Sequence, residues 1–204
     1  MARIPLEERR RLLIAATLTV IERDGIAGAT ARRIVKEADM PLGALHYAFE
    51  NVEDLLAAAA DEVTANERLA AEQGLAEGGP APDLTELLVA GMERYVALLT
   101  AHPGHELAFV ELMLHASRAR LHAPPAPGRY APSYELVGAL LSQAAESAGA
   151  SWLVPVDQLA RHTVSMLDGI TTTWLADHDD AAALATARFH AHALAAQSVP
   201  VTQD

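Results

Sequence analysis

Alanine is the feature of this sequence that most restricts its fold. It occupies 43 of the 204 positions, whereas aromatic residues make up only 4%. Alanine has the highest helix propensity of any residue and is depleted in β-strands. The sequence therefore predicts an all-α protein, and a chain of this length can bury a core of its own.

Composition also excludes several classes of protein. Without cysteine the chain has no disulfide scaffold, and no apolar run approaches the ~18 residues of a membrane span. Arg9, Arg10 and Arg11 precede an apolar stretch, as in a secretory signal, but Glu22 and Asp24 interrupt the site where cleavage would occur. We therefore expect a cytoplasmic protein.

Charge is distributed unevenly along the chain. Residues 1–49 contain eight basic and six acidic residues, a net charge of +2, whereas residues 50–204 contain seven and twenty-one, a net charge of −14. The acidic body would be repelled by DNA phosphates. Only the N-terminal quarter can form a docking surface for nucleic acid.

The spacing of apolar residues predicts three short helices in this quarter. The first runs from about Pro5 to the stop at Gly25, and the second covers Ala31–Ala38 with Thr30 as its N-cap. After the break at residues 39–41, a third helix begins at about Pro41 and runs to about Ala48. This outline is that of a helix-turn-helix, whose second helix enters the major groove of DNA. Asn51 is placed to cap a fourth, longer helix.

Residues 30–56, TARRIVKEADMPLGALHYAFENVEDLL, closely resemble the N-terminal DNA-binding segment of TetR-type transcriptional regulators. The threonine before the second helix, the glycine and leucine of the third, the phenylalanine that closes it and the later leucine pair all fall in register. The resemblance implies a DNA-binding domain over residues 1–50 and an effector-binding and dimerisation domain over residues 51–204. It also implies a regulator, most often a repressor, that a small molecule releases from its operator.

The resemblance implies DNA contacts from the start of the second helix and from the recognition helix. The implied residues are Thr30, Arg32, Arg33, Pro41, Leu42, Gly43, Ala44, His46 and Tyr47. Four of them have a second interpretation: Gly43 permits close approach either to DNA or to the second helix, and Thr30 either caps its helix or binds a phosphate. Arg32 and Arg33 either contact DNA or are merely solvated. Ile34, Ala38, Leu45 and Phe49 are expected to form the core of the small domain.

This chain departs from the family pattern where phosphate contacts are usual. Pro41 stands in place of serine, His46 in place of tyrosine, Ala48 in place of tyrosine or histidine, and Val52 in place of lysine. We expect His46 and Tyr47 to take over these contacts. The implied affinity for DNA is weak and depends steeply on salt.

The last two helices carry apolar residues at helical spacing. By resemblance, they form a four-helix bundle with a second copy of the chain, and packing within one chain is the alternative. The residues expected at this homodimer interface are Leu159, Thr163, Met166, Ile170, Trp174, Leu184, Ala187, Ala191 and Leu194.

Large, adaptable apolar residues in the body suggest an effector pocket. The candidate lining residues are Met92, Tyr95, Phe109, Met113, Trp152 and Met166, each of which could instead belong to the core. Because the body is strongly acidic, we expect a mainly apolar effector that is neutral or cationic.

Neither a metal site, nor a cofactor, nor an enzymatic activity is expected. His102, His105, Glu106, Glu111 and His115 lie close in sequence, but the Pro103-Gly104 break interrupts any rigid helical pair. No nucleophile elbow or phosphate loop is present. One alternative function remains open at this stage, a helical ligand-binding or interaction protein with weak or lost operator binding.

Overall fold

The computed structural model describes residues 4–63, 83–121 and 130–201. Its helices are α1 (Leu6–Asp24), α2 (Ala31–Glu37), α3 (Gly43–Ala48), α4 (described over 52–63), α5 (Leu84–Ala101), α6 (Pro103–Arg120), α7 (Ala131–Ser147), α8 (Val156–Asp177) and α9 (Asp180–Ala195). A 3₁₀ turn covers Ile26–Gly28, and two short strands, β1 (Ala150–Trp152) and β2 (Ser198–Pro200), complete the described elements. The all-α fold class is confirmed. No helix in these ranges is long and apolar enough to cross a membrane.

The chain divides into two compact units. One contains α1–α4 together with α6 from Gly104 onward, and the other contains α5, α7–α9 and the strands. Helix α6 therefore belongs to the same compact unit as the helix-turn-helix. The functional division at residue 50 stays a prediction.

The first unit has a continuous apolar core. Leu13, Ile34, Leu45 and Leu55 have no exposed surface, and Phe49 and the α6 residue Leu112 pack with them. The predicted core of the small domain is confirmed, with Ala38 at its margin. The N-cap assigned to Asn51 is also confirmed, because its Oδ1 accepts a 2.9 Å hydrogen bond from the Asp54 N–H.

The core of the second unit is built largely around the pairing of α5 with α9. Leucine, valine and methionine side chains of α5 pack against the small residues of α9, which allow the two helices to approach closely. The buried residues of this pairing are Leu84, Leu88, Met92, Val96, Leu99, Ala183, Ala187, Ala191 and Leu194. Asp83 and Asp179 cap the two helices, each accepting a 2.9 Å hydrogen bond from a backbone N–H.

The two strands form a small antiparallel sheet that joins the ends of α7 and α9 to each other. Ala150 pairs with Pro200 and Trp152 with Ser198. The Trp152 indole N–H donates a 3.1 Å hydrogen bond to the Leu141 carbonyl, which fixes the sheet to α7. This sheet was not predicted, because each strand has only three residues, which is too short for a period of two to be recognised in the sequence.

Candidate nucleic-acid interface and helical body

The turn between α2 and α3 is built by residues 38–42. Asp39 has a φ of 51°, a conformation that aspartate adopts more readily than most residues. The Met40 N–H donates a 2.8 Å hydrogen bond to the Val35 carbonyl, which closes the turn over the end of α2. The predicted break is confirmed, and α3 begins at Gly43, two residues later than expected.

Helix α3 has one buried and one exposed face. The buried residues are Ala44, Leu45 and Ala48. The exposed residues on and before the helix are Pro41, Leu42, Gly43, His46 and Tyr47. Ala44 is only 8% exposed, and its contact with DNA stays a prediction. DNA contact by the five exposed residues stays a prediction.

The structure separates the two interpretations of Gly43. A Cβ atom added at this position would meet nothing within 4 Å. Close packing against α2 therefore does not require the glycine. The open space favours the other interpretation, close approach of an external group to the start of α3.

The residues at the start of α2 are exposed. Thr30 precedes the helix in extended conformation, and its hydroxyl makes no capping hydrogen bond, so capping by this side chain is not observed. Arg32 is exposed, and Arg33 lies 3.6 Å from the carboxylate of Asp24. The positive charge of Arg33 is therefore partly offset.

The Asp24 carboxylate is the centre of a group of charges on α1 and α2. Its pKa is lowered, first because Arg23 donates a hydrogen bond to it and then because of the positive charges of Arg23 and Arg33. Arg23 also donates a 2.8 Å hydrogen bond to Glu37. Arg23 and Arg33 are therefore each paired with a carboxylate.

Two arginines of α1 contact the recognition helix, and the sequence analysis did not identify them. The Arg10 Nη1 donates a hydrogen bond to the Ala48 carbonyl, and its guanidinium lies 4.1 Å from the centre of the Phe49 ring. The guanidinium of Arg9 lies 4.7 Å from the centre of the Tyr47 ring. The arginine cluster was the available signal, but no sequence pattern specifies contacts across nearly forty residues.

Three side chains of α6 make polar contacts with α1, the 3₁₀ turn and α4. His105 Nδ1 lies 3.2 Å from a Glu22 oxygen, and His115 Nε2 lies 2.6 Å from a Glu53 oxygen. Between them, the Glu111 carboxylate accepts a 2.7 Å hydrogen bond from the Ile26 N–H. Three of the five residues weighed as metal ligands, His105, Glu111 and His115, therefore face different partners.

The N-terminus of α4 carries the remaining departure from the family pattern. Val52 is partly buried and packs against the core of the first unit. Asp54 and Glu53 follow it, and Glu53 contacts His115. Val52 therefore contributes to packing in this protein, whereas the family usually carries a phosphate-binding lysine at this position.

The candidate effector residues are divided between the two units. Met92, Tyr95, Trp152 and Met166 lie in or against the core of the second unit. Phe109 and Met113 belong to α6 of the first unit, and Met113 is 7% exposed. The Tyr95 hydroxyl bonds to the Thr171 hydroxyl and the Leu167 carbonyl, which ties α5 to α8. A shared pocket of all six stays a prediction.

A surface groove of about 840 Å³ lies beside the two-stranded sheet. It is lined by Trp152, Leu153 and Val156, among other residues, and among the described residues Glu146 is its one charged lining side chain. Of the six candidate effector residues, Trp152 alone lines this groove.

The nine residues predicted at the homodimer interface are largely buried within one chain. Seven of the nine predicted residues are at most 5% exposed within a single chain: Leu159, Thr163, Ile170, Trp174, Ala187, Ala191 and Leu194. Met166 and Leu184 are partly buried against the same core. Side chains with so little exposed surface pack mainly within the chain itself, and contact of these residues with a partner stays a prediction.

A different face of α9 is open. Phe189 is 70% exposed and lies at its centre. The exposed small residues on the same face are Ala182, Ala185, Ala193 and Ala196. This face was not predicted, because the apolar stripe with leucines was assigned to the partner.

Comparisons with known proteins identify the family. Residues 13–59 match the model for bacterial regulatory proteins of the tetR family. The multidrug binding protein EbrR, solved with imidazole, is 31% identical, with 97% of this chain and 99% of that chain covered and a TM-score of 0.62. The chain belongs to the TetR family. This TetR-family protein is therefore a transcriptional regulator with a DNA-binding helix-turn-helix, and it is not an enzyme.

Two further relatives match the regulator over most of its length. The HTH-type nicotine-responsive transcriptional repressor HdnoR of Paenarthrobacter nicotinovorans is 28% identical, and the match covers 87% of this chain and 89% of HdnoR. A TetR-family member from Streptomyces coelicolor A3, SCO1917, is 28% identical over 90% of this chain and 98% of that chain, with a TM-score of 0.59. EbrR has also been solved with ethidium, at 26% identity, 90% and 98% coverage and a TM-score of 0.60.

Proposed function

We propose that this TetR-family regulator is a homodimeric repressor that binds an operator through α2 and α3 and is released by a small molecule. One observation carries the proposal: the exposed face of α3 combines Gly43, which has open space around it, with the polar residues His46 and Tyr47. A helix with this surface can enter the major groove closely while its opposite face stays in the core.

In this proposal, some of these residues contact base edges and the others contact phosphates. Pro41, Leu42 and Gly43 approach base edges at the start of α3, whereas Thr30, Arg32, Arg33, His46 and Tyr47 bind phosphates. Phosphate contacts supply affinity without sequence information. The Thr30 hydroxyl supports its assignment, because it makes no hydrogen bond to its own helix.

Dimerisation in this proposal uses the exposed faces of α8 and α9. Phe189 stands on α9 among exposed alanines, and the exposed face of α8 includes the small residues Ser165, Gly169 and Ala176. Two copies related by a two-fold axis would cover both faces. The two recognition helices then read half-sites whose centres are roughly 34–36 Å apart.

The effector in this proposal is an apolar molecule that is neutral or cationic. The charge of −14 on residues 50–204 disfavours an anion. Asp168 on α8 is half-buried, and burial raises the pKa of its carboxyl group, although a hydrogen bond from Tyr130 opposes this shift. A cationic effector beside Asp168 would stabilise its charged carboxylate, so the site favours binding of a cation. The nicotine response of HdnoR and the ethidium complex of EbrR support the same class.

Release follows from thermodynamic linkage. If the effector binds better to a conformation that spaces the two recognition helices wrongly, it weakens operator binding by the same factor by which DNA weakens effector binding. Only His102 separates α5 from α6 along the chain. Through this short connection, a shift of α5 would act on α6 and its contacts with Glu22, Ile26 and Glu53.

Two assays test the effector part of the proposal. A thermal-shift screen of neutral, cationic and anionic apolar compounds finds ligands, since binding to the folded protein raises its melting temperature. Operator release is then measured with each hit, and we expect neutral or cationic hits to release DNA. A set of hits consisting solely of anions would contradict the charge argument and point to an arginine of the body.

A further inference from the structure

We propose that Arg9 and Tyr47 form a single binding site for one phosphate of the DNA backbone. The inference rests on the proposed operator binding and adds a residue from outside the helix-turn-helix. The Arg9 guanidinium lies over the Tyr47 ring, with its carbon 4.7 Å from the ring centre, and Tyr47 is 57% exposed. A positive charge and a phenolic hydroxyl are therefore held together at the exposed side of α3.

The contact with the ring leaves hydrogen-bond donors of Arg9 available. A guanidinium directs its five N–H groups outward in its own plane, so a contact through its carbon does not use up these groups. One of these groups, on Nη2, donates a 3.3 Å hydrogen bond to the Ile4 carbonyl at the start of the chain. A phosphodiester has two unesterified oxygens, which can accept from the guanidinium edge and from the Tyr47 hydroxyl at once.

The neighbouring residue fixes the position of this site. Arg10 holds the end of α3 through the Ala48 carbonyl and the Phe49 ring. Because Arg9 and Arg10 are consecutive on α1, the helix that carries Arg9 is fixed against the helix that carries Tyr47. The pair is thus arranged before DNA arrives, which reduces the entropy lost on binding.

The N-terminal domain has little net positive charge, so the positive charge of Arg9 is important for binding DNA. Arg11, Arg23 and Arg33 each lie within 4 Å of a carboxylate, whereas Arg9 is held by a carbonyl and an aromatic ring. The domain carries a net charge of only +2, and Val52 replaces the usual family lysine. The positive charge of Arg9, held against Tyr47 of the recognition helix, offsets the absence of this lysine.

Arg11 provides a matched control on the same helix. It is exposed and bonds Glu8 at 2.9 and 2.6 Å, so it takes no part in the contact with Tyr47. Arg9→Gln and Arg11→Gln remove the same formal charge from positions two residues apart. A general effect of charge affects both variants equally, and a local phosphate site affects only the first.

The experiment measures the affinity of the full-length protein for duplex DNA over a series of salt concentrations. Two duplexes are compared, a selected operator fragment and a scrambled sequence. For Arg9→Gln we expect about a tenfold loss on both duplexes. The slope of log K against log salt should become shallower by about 0.9 for each protomer bound. Arg11→Gln should leave the slope unchanged, and Arg9→Lys should retain most of it.

Tyr47→Phe tests the shared phosphate. It keeps the stacked ring and removes the hydroxyl, so combining it with Arg9→Gln should give less than the product of the two single losses. Equal effects of Arg9→Gln and Arg11→Gln, or strictly independent effects of Arg9→Gln and Tyr47→Phe, would overturn the inference. Circular dichroism and melting temperature establish that each variant is folded. If the wild-type protein binds no DNA even at low salt, the proposed function itself fails.

Discussion

The backbone N–H of Ile26 donates a 2.7 Å hydrogen bond to the carboxylate of Glu111, which lies 85 residues further along the chain. Ile26 directly follows Gly25, whose φ of 71° and ψ of 169° are essentially restricted to glycine. The turn between α1 and α2 is therefore held from outside by a side chain of α6. Changes at this contact affect the unit that carries the recognition helix.

Glu111→Ala should destabilise the protein by about 1–3 kcal/mol, because it leaves the part-buried Ile26 N–H without its acceptor. Glu111→Gln keeps a neutral acceptor and should lose less. Urea unfolding at a fixed protein concentration measures both. Wild-type stability in the alanine variant would show that the contact contributes nothing.

Gly43→Ala should separate stability from DNA binding. The added methyl group meets no atom within 4 Å, so the gain in helix propensity should raise stability by roughly 0.5–1 kcal/mol. The same methyl group would stand between α3 and DNA and should weaken operator binding. Affinity and urea unfolding are measured on the same preparation.

Gly25→Ala is the matched comparison for that prediction. Its positive φ makes the variant strained, and its stability should fall by roughly 1–3 kcal/mol. An unchanged operator affinity in Gly43→Ala would remove the argument for close approach of DNA.

Phe189→Glu should convert the homodimer to monomers, because it places a charge at the centre of the exposed α9 face. Leu114→Glu is the control, since Leu114 is 66% exposed on α6 and lies on neither helix of the proposed interface. Sedimentation velocity at micromolar concentration distinguishes the two. A wild-type monomer, or a dimer that survives Phe189→Glu, would contradict the proposed interface.

His190 should make the second unit sensitive to acid. It is buried with its Nε2 3.1 Å from the Thr163 hydroxyl, and its pKa is lowered first by burial and then by the charge of His162. The unfolded chain therefore binds the proton more readily than the folded one. Stability is full above the ordinary pKa of 6.5 and falls as the pH drops below it.

The measurement compares urea unfolding at pH 7 and pH 5. His190→Gln should lose less stability over this interval than the wild type, with a difference of up to about 2 kcal/mol. His192→Gln, on the exposed side of the same helix, should behave like the wild type. A wild-type pH dependence retained in His190→Gln would assign the effect to another group.

Local signals were sufficient to predict most helices and the core of the first unit. Gly25 ends α1, Asn51 caps α4, and Ile34 and Leu45 are fully buried, because capping and helical spacing act over a few residues. The same spacing on α8 and α9 could not distinguish a core within one chain from an interface between two. Leu159 and Ala187 are buried in the chain itself, and the open face is centred on Phe189.

Contacts between distant segments were beyond what the sequence could predict. Arg10 on Ala48 and Glu111 on Ile26 join residues 38 and 85 positions apart. Such pairs depend on how helices pack, and no local pattern encodes that packing. The burial of Ala44 follows from the same cause, since the rotation of a six-residue helix decides which methyl group faces the core.

Selection of genomic DNA fragments by the purified regulator, followed by salt-titrated binding to the selected and scrambled sequences, tests the central claim most directly. We predict enrichment of a pseudo-palindrome whose half-site centres lie roughly 34–36 Å apart, bound more tightly than scrambled DNA at moderate salt. Equal affinity for both sequences at moderate salt would contradict the account and favour a helical ligand-binding protein that has lost its operator.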